Sequence, residues 1–356
     1  MINLSLTPQQ LADLARNLSG QQKMAEACRL LTLAKRLHIA GKMQRGEKPV
    51  IYIAATSDDE KDEYMKFLWG DFWVQYELVK EFGALGYRVS KVKPDIIIHL
   101  YGHPMQLPQQ TYNIAWIYSN PDTVRHVGEL QQYDFVYVLS KSYQAKVREM
   151  GRDAEIMIGA TSKTPFPTTD CKYPAVFVGN ARRGKTMRPV VDCLAHCGYP
   201  FLVWGNGWEQ FLPAERIGGR YFDNQRLDRL YALSEFSLND HHADMGKYGF
   251  VAVKIFDILA SGGFAISDRN HGVDEIFGET VPQFSNPEEL QSIFAQFAPG
   301  RDRRENVRKK GQEIALSHTW ADRAREFEST FTKQFAMQSL QPEIEQVARQ
   351  YFNRPE

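Results

Sequence analysis

From residue 49 onward, the chain alternates between short runs that are apolar throughout and longer stretches that are apolar on one face. Val50–Ala54, 85–89, Asp95–Leu100, Tyr112–Ile117 and Tyr133–Leu139 are of the first kind. Segments up to about Gly83, at 121–131 and at 141–150 are of the second. Unalternating runs rich in Ile, Val and Tyr, separated by helical periods, predict a parallel sheet covered on both faces. Residues 160–173, with two prolines and four threonines and no periodicity, read as a linker. The alternation then restarts, with strands at 175–179, 201–204, 236–238 and 264–266 and helices at 186–197, 225–233 and 252–261. Ahead of all this, residues 1–45 read as a helical hairpin. Thr7-Pro8-Gln9-Gln10 forms a capping box with proline at the first helical position, and Ser19-Gly20 breaks the first helix. A second helix over 21–38 is expected to turn Ala25, Cys28, Leu31 and Ala34 inward. The charged stretch 302–352 is helical by pattern, and Thr319 with Asp322 three residues on provides its N-cap.

The fold class that follows is α/β, with two Rossmann-like, doubly wound domains facing a cleft and an N-terminal helical hairpin. The expected boundaries are 1–45 for the hairpin, 46–165 and 166–330 for the two domains, and 331–356 for a C-terminal helix returning to the first domain. Composition narrows the partners. The 356 residues are 43% hydrophobic with a formal net charge of +0, so no global field draws nucleic acid or anionic lipid. Four cysteines occur without a C-x-x-C pair. The N-terminus MINLSLTPQQ lacks a basic region followed by an apolar core, and no apolar run reaches the roughly 18 residues of a membrane span. These features predict a cytoplasmic protein.

The most informative stretch is 245–268, MGKYGFVAVKIFDILASGGFAISD. Ile255, Phe256, Ile258 and Leu259 form an apolar stripe, while Lys254, Asp257 and Ser261 share a polar face. A cation one turn ahead of a carboxylate, near a helix N-terminus fed by Gly246 and Gly249, suits a nucleoside diphosphate, and Lys247, Tyr248 and Gly249 join the donor-binding candidates. Lys254 and the helix end would meet the phosphates, and Asp257 would accept from a ribose diol. The same spacing also describes an ordinary solvated Lys/Asp pair.

Gly179-Asn180-Ala181-Arg182-Arg183-Gly184-Lys185 follows the first strand of the second domain, and its glycines and three cations fit a diphosphate. The spacing Gly179…Gly184-Lys185-Thr186 imitates a P-loop, but no strand-borne acidic metal ligand accompanies it. Trp204-Gly205-Asn206-Gly207-Trp208 either holds a base or sugar or caps a core. Asp240-His241-His242-Ala243-Asp244 invites a metal reading, which the divergent directions of adjacent histidines and the lack of a further ligand cluster argue against. No metal or other cofactor is expected.

These residues carry a resemblance. The run from Leu230-Tyr231 through SEFSLND to VKIFDILASGGFAISD, with His318-Thr319-Trp320-Ala321-Asp322-Arg323-Ala324, resembles the spore-maturation-type (CgeB-like) glycosyltransferases. The likeness covers about 110–330 and is specific in its second half. It implies a GT-B fold and transfer of a sugar from a nucleotide-sugar donor, bound by the C-terminal domain, to a glycan or glycolipid acceptor in bacterial surface polysaccharide assembly. A peripheral place at the inner membrane face, or in a biosynthetic complex, goes with that role. The resemblance puts Lys254 at the diphosphate and Asp257 where a Glu usually contacts the ribose; the loop reading above adds Gly179, Asn180, Arg182, Arg183, Lys185, Gly205 and Asn206 as donor-binding candidates. The wider retaining group often has a Glu eight residues before the ribose carboxylate, and here that position is Gly249.

An inverting transfer also needs a base on the first domain. His103, in the loop after the strand at 95–100, is the first candidate, and Asp71 is the second. Trp69, Phe72, Trp73 and Tyr76 could stack on an acceptor sugar. A GT-B epimerase or phosphorylase, and a non-catalytic nucleotide-sugar-binding scaffold, are the competing readings.

Overall fold

The computed structural model describes residues 6–21, 23–168, 170–181 and 187–352, and of Glu63 and Tyr64 the backbone alone. Two separate parallel sheets account for the alternation. The first consists of β1 (Ile51–Ala54), β2 (Ile96–Tyr101), β3 (Tyr112–Ile117), β4 (Phe135–Val138) and β5 (Glu155–Ile156), in that spatial order. β2 and β3 are buried at every position, as their unbroken apolar runs require. The strand expected at 85–89 is reduced to a single bridge from Val89 to Ile51. Residues 85–87 close the preceding helix instead: Gly86 takes a φ of +79° and Tyr87 N donates back to Phe82 O at 2.9 Å, so of that run only Arg88 and Val89 reach the ladder. That bridge lies on the outer side of β1, so the strand order reverses beside β1 and a crevice opens at its carboxyl end.

The second sheet contains β6 (Tyr173–Val178), β7 (Phe201–Trp204), β8 (Ile217–Gly219), β9 (Ser234–Asn239), β10 (Ala265–Asp268) and β11 (Gln283–Phe284). Its order is β11-β10-β9-β6-β7-β8. The reversal falls between β6 and β9, so the loops after these two strands flank the second crevice. β5, β8 and β11, of two or three residues each, are too short to leave a periodic trace in the sequence.

Other expectations also need correcting. The helix expected over 121–131 is two 3₁₀ turns, Pro121–Thr123 and Val127–Leu130. In the hairpin, helices Pro8–Gly20 and Met24–Gln44 form. However, the inward face of the second helix carries Ala27, Leu30, Leu33 and Ala34, with Ala25 and Cys28 exposed. A buried ion pair goes with that rotation: Lys35 Nζ lies 2.9 Å from Asp134, which also accepts from Thr32 Oγ1.

The chain crosses between domains twice. Thr161 N donates to His318 O at 3.0 Å, so the outgoing linker and the returning segment are bonded to each other. Beyond that point helix Trp320–Phe335, capped by the Thr319–Asp322 box, sends Phe327, Phe331 and Phe335 into the core of the first domain. Helix Met337–Val347 follows with Leu340, Ile344 and Val347. The return thus begins at Trp320, inside the segment expected to belong to the second domain. No helix among the described residues is long and apolar enough to cross a membrane.

Candidate active site

The second-domain side of the cleft is built from strand ends that bond to one another. Gly179 N donates to Trp204 O, Trp208 Nε1 donates to Gly179 O, and Asn206 N donates to Asn180 Oδ1. A Cβ on Gly205 would lie 2.2 Å from Gly179 O at a φ of +145°, so only glycine permits the two loops this approach. Trp208 is fully buried, and its ring meets Phe177 edge-on. Across the switch point, Arg188 forms a bidentate pair with Asp240 while Arg188 Nη1 donates to Asn180 O at 3.0 Å. This guanidinium joins the loop after β6 to the loop after β9.

The same region explains the histidines. His241 Nε2 accepts from Ala252 N at 3.1 Å, so its proton sits on Nδ1, which donates to Asp268 Oδ1 at 2.6 Å. His241 therefore positions the start of helix Val253–Ala260. Among the described residues, no three His, Cys, Asp or Glu side chains converge as a metal site would require.

Helix Val253–Ala260 has no side-chain cap, and Ala252, Val253 and Lys254 at its start line a cavity of about 330 Å³ between the domains. The second domain contributes Lys254 and Asp257 to this cavity, the linker contributes Lys163, and the first domain contributes Trp73, Glu77 and Ser119. Lys254 Nζ stands 4.3 Å from the centre of the Phe177 ring. Asp257 Oδ1 accepts from Thr161 Oγ1 at 2.6 Å. Burial pushes the Asp257 carboxyl up to about 6, partly offset by Lys163 and the Thr161 hydroxyl and reinforced by the negative charge of Glu77. A second cavity of about 190 Å³ adjoins the first, sharing Trp73, Val178 and Asn224. Its walls include Gly179, Asn180, Gly205, Trp204, Tyr221 and Phe222.

The structure thus brings together Lys254, Asp257, Gly179, Asn180 and Gly205, with Asn206 bonded behind them. It puts Lys247 and Tyr248 elsewhere, on the seam with the first domain. There Tyr248 Oη donates to Asp122, Lys247 Nζ lies 3.5 Å from the same carboxylate, and Tyr248 O accepts from Ser140 and Ser142. Gly249 packs against His271. Arg182, Arg183 and Lys185 lie outside the described residues. His103 is exposed, and it lines neither cavity. Asp71 is not in either wall: its Oδ2 accepts from Ser57 N at 3.1 Å, and its Oδ1 is buried without a hydrogen bond. Several wall residues went unmarked in the sequence, among them Glu77, Lys163 and Tyr221. Glu77 left a trace there, one helical turn after Trp73 on the same face.

Two GT-B glycosyltransferase structures superimpose on most of this architecture. AviGT4, a glycosyltransferase involved in avilamycin A biosynthesis, aligns with a TM-score of 0.56 at 15% identity, covering 81% of this chain and 98% of its own. The sucrose-phosphate synthase of Thermosynechococcus elongatus gives 0.58 at 13% identity, with 81% and 99% covered.

The fold is GT-B.

The T4 phage β-glucosyltransferase, solved with its UDP-glucose substrate, gives a TM-score of 0.51 at 12% identity over 80% of this chain and 99% of its own. Another structure of that phage enzyme contains UDP and Mn²⁺. Residues 182–329 match a family described as glycosyl transferase-like, a span that includes Lys254 and Asp257. No curated protein matches the sequence. The family match and the GT-B architecture together support glycosyl transfer.

Proposed function

We propose that this GT-B protein transfers a sugar from a nucleotide-sugar donor, held by the second domain, to a glycan or glycolipid acceptor on the first. The observation that carries this reading is the pair Lys254 and Asp257. They stand one turn apart on a single helix and both face a cavity that the carboxyl ends of β6 and β7 extend. The smaller cavity, walled by Trp204, Tyr221 and Phe222, suits a base. Asp257 keeps one carboxylate oxygen beyond its Thr161 bond for a ribose hydroxyl. Lys254 and the uncapped start of its helix meet the diphosphate, and the sequence assigns Arg182, Arg183 and Lys185 to the same role. These cations stabilise the departing nucleoside diphosphate, so the transfer proceeds without a divalent metal.

The likeness to spore-maturation-type glycosyltransferases extends the reading to surface polysaccharide assembly at the inner face of the bacterial membrane, by a protein that is otherwise cytoplasmic. A thermal-shift panel of UDP, GDP, CMP, ADP and dTDP tests the donor site. One nucleotide should raise the melting temperature, by an amount corresponding to about 2.7 kcal/mol at a hundredfold excess over its dissociation constant. A flat response to all five would overturn the proposal. Transfer to an added acceptor, as opposed to donor isomerisation or phosphate-dependent cleavage, separates a transferase from a GT-B epimerase or phosphorylase. Binding without turnover would indicate a scaffold.

A further inference from the structure

We propose that the first-domain wall of the cavity is a saccharide-acceptor site in which Glu77 takes the proton of the attacking hydroxyl. This assignment rests on the donor reading above. Glu77 projects from helix Gly70–Ala84 into the cavity that also contains Lys254 and Asp257. Its Oε1 accepts from Ser162 Oγ at 2.7 Å, which fixes the carboxylate. Its Oε2 is buried without a hydrogen bond and is held only in a long ion pair, 3.7 Å, with Lys80 Nζ on a mostly exposed side chain. A buried carboxylate oxygen left without a donor, in a cavity wall opposite the diphosphate cation, is an acceptor waiting for an O–H group. Neither His103 nor Asp71 lines that cavity.

The surroundings select a carbohydrate. Trp73 lines the cavity, with Phe67 and Tyr76 packed against it at 6.0 and 5.9 Å. Phe67 and Trp69, 42% and 40% exposed, line the adjoining smaller cavity, and Tyr76, packed on Trp73, is 47% exposed. Sugars present C–H faces to such rings and hydroxyls to carboxylates.

In the reaction, the acceptor oxygen forms a bond to the anomeric carbon as the bond from that carbon to the β-phosphate oxygen breaks. The acceptor proton moves to Glu77 Oε2, and the electron pair of the broken bond leaves with the nucleoside diphosphate. One displacement inverts the anomeric centre.

Release of nucleoside diphosphate from UDP-glucose, UDP-N-acetylglucosamine, GDP-mannose, ADP-glucose and dTDP-glucose, with water or methyl hexosides as acceptor, tests the assignment. Glu77→Gln keeps the Ser162 bond, since the amide oxygen still accepts. It should lower kcat by about 100-fold while leaving the donor KM and the nucleotide thermal shift within about twofold. Ser162→Ala should lose less than about threefold, because the base remains, and the product should show inversion by NMR. A loss of less than about tenfold in Glu77→Gln, or equal losses in Glu77→Gln and Ser162→Ala, overturns the proposal and leaves Glu77 as a latch between domains. A wild-type protein that turns over none of these donors also overturns it. The nucleotide thermal shift then tells whether the donor reading has failed as well.

Discussion

Gly249 and His271 exclude a side chain from the position where the wider retaining group often carries a Glu. A Cβ on Gly249 would lie 2.4 Å from His271 Nε2, and the glycine holds φ at +70°. The backbone runs through a left-handed turn between Tyr248, bonded to the first domain, and Phe250, buried in its core. An acidic residue eight positions before Asp257 is therefore excluded by geometry as well as by sequence.

Gly249→Ala should destabilise the protein by about 1–2 kcal/mol from backbone strain alone, with the His271 contact adding to it. Urea unfolding of Gly249→Ala, His271→Ala and the double variant separates the two contributions. The double variant should regain part of the loss and no more. Complete recovery would mean that the turn carries no strain.

Lys254→Ala should weaken binding of the nucleoside diphosphate by about 1.5–3 kcal/mol, the scale of a charged hydrogen bond, and leave the bare nucleoside unaffected. Titration calorimetry with both ligands decides this. Equal losses would assign Lys254 to packing on Phe177 in place of phosphate binding.

Burial holds the Asp257 carboxyl at about 6 against an ordinary 3.8. Between those values the folded protein holds a proton that the unfolded chain has released, so this group's contribution to stability falls as pH rises through that window. Ribose binding needs the ionised form. Nucleoside affinity should therefore climb between about pH 5 and 7, and Asp257→Asn should flatten both trends. An affinity independent of pH in the wild type would remove Asp257 from the ribose.

Removing Arg188 would deprive Asp240, whose side chain is only 2% exposed, of its bidentate guanidinium partner. Arg188→Ala should cost about 3–5 kcal/mol of stability by denaturant unfolding. The double variant Arg188→Met/Asp240→Leu should lose much less. Similar losses in both would show that the contact with Asn180 O matters more than the charge pair.

If cations and a helix start neutralise the leaving diphosphate, transfer should survive chelation, and added Mg²⁺ or Mn²⁺ should change the rate only modestly. Activity abolished by chelator and restored by Mn²⁺ would reverse this and return attention to His242 and Asp244.

The sequence by itself determined the alternation of elements, the two-sheet α/β class, both capping boxes, and the helix carrying Lys254 and Asp257. Each is a local pattern: β3 is apolar at all its positions because both its faces are covered, and Thr7 and Thr319 cap helices through groups three residues away. Tertiary structure decided what depends on distant partners. The second hairpin helix is turned so that Lys35 meets Asp134, across a separation no helical period encodes. Lys247 and Tyr248 looked equivalent to Lys254 in sequence, yet Asp122 draws them to the seam between domains. Glu77 gained its place in the cavity only when the linker brought Ser162 against it, because a carboxylate on a helix face is ordinary until burial removes its water.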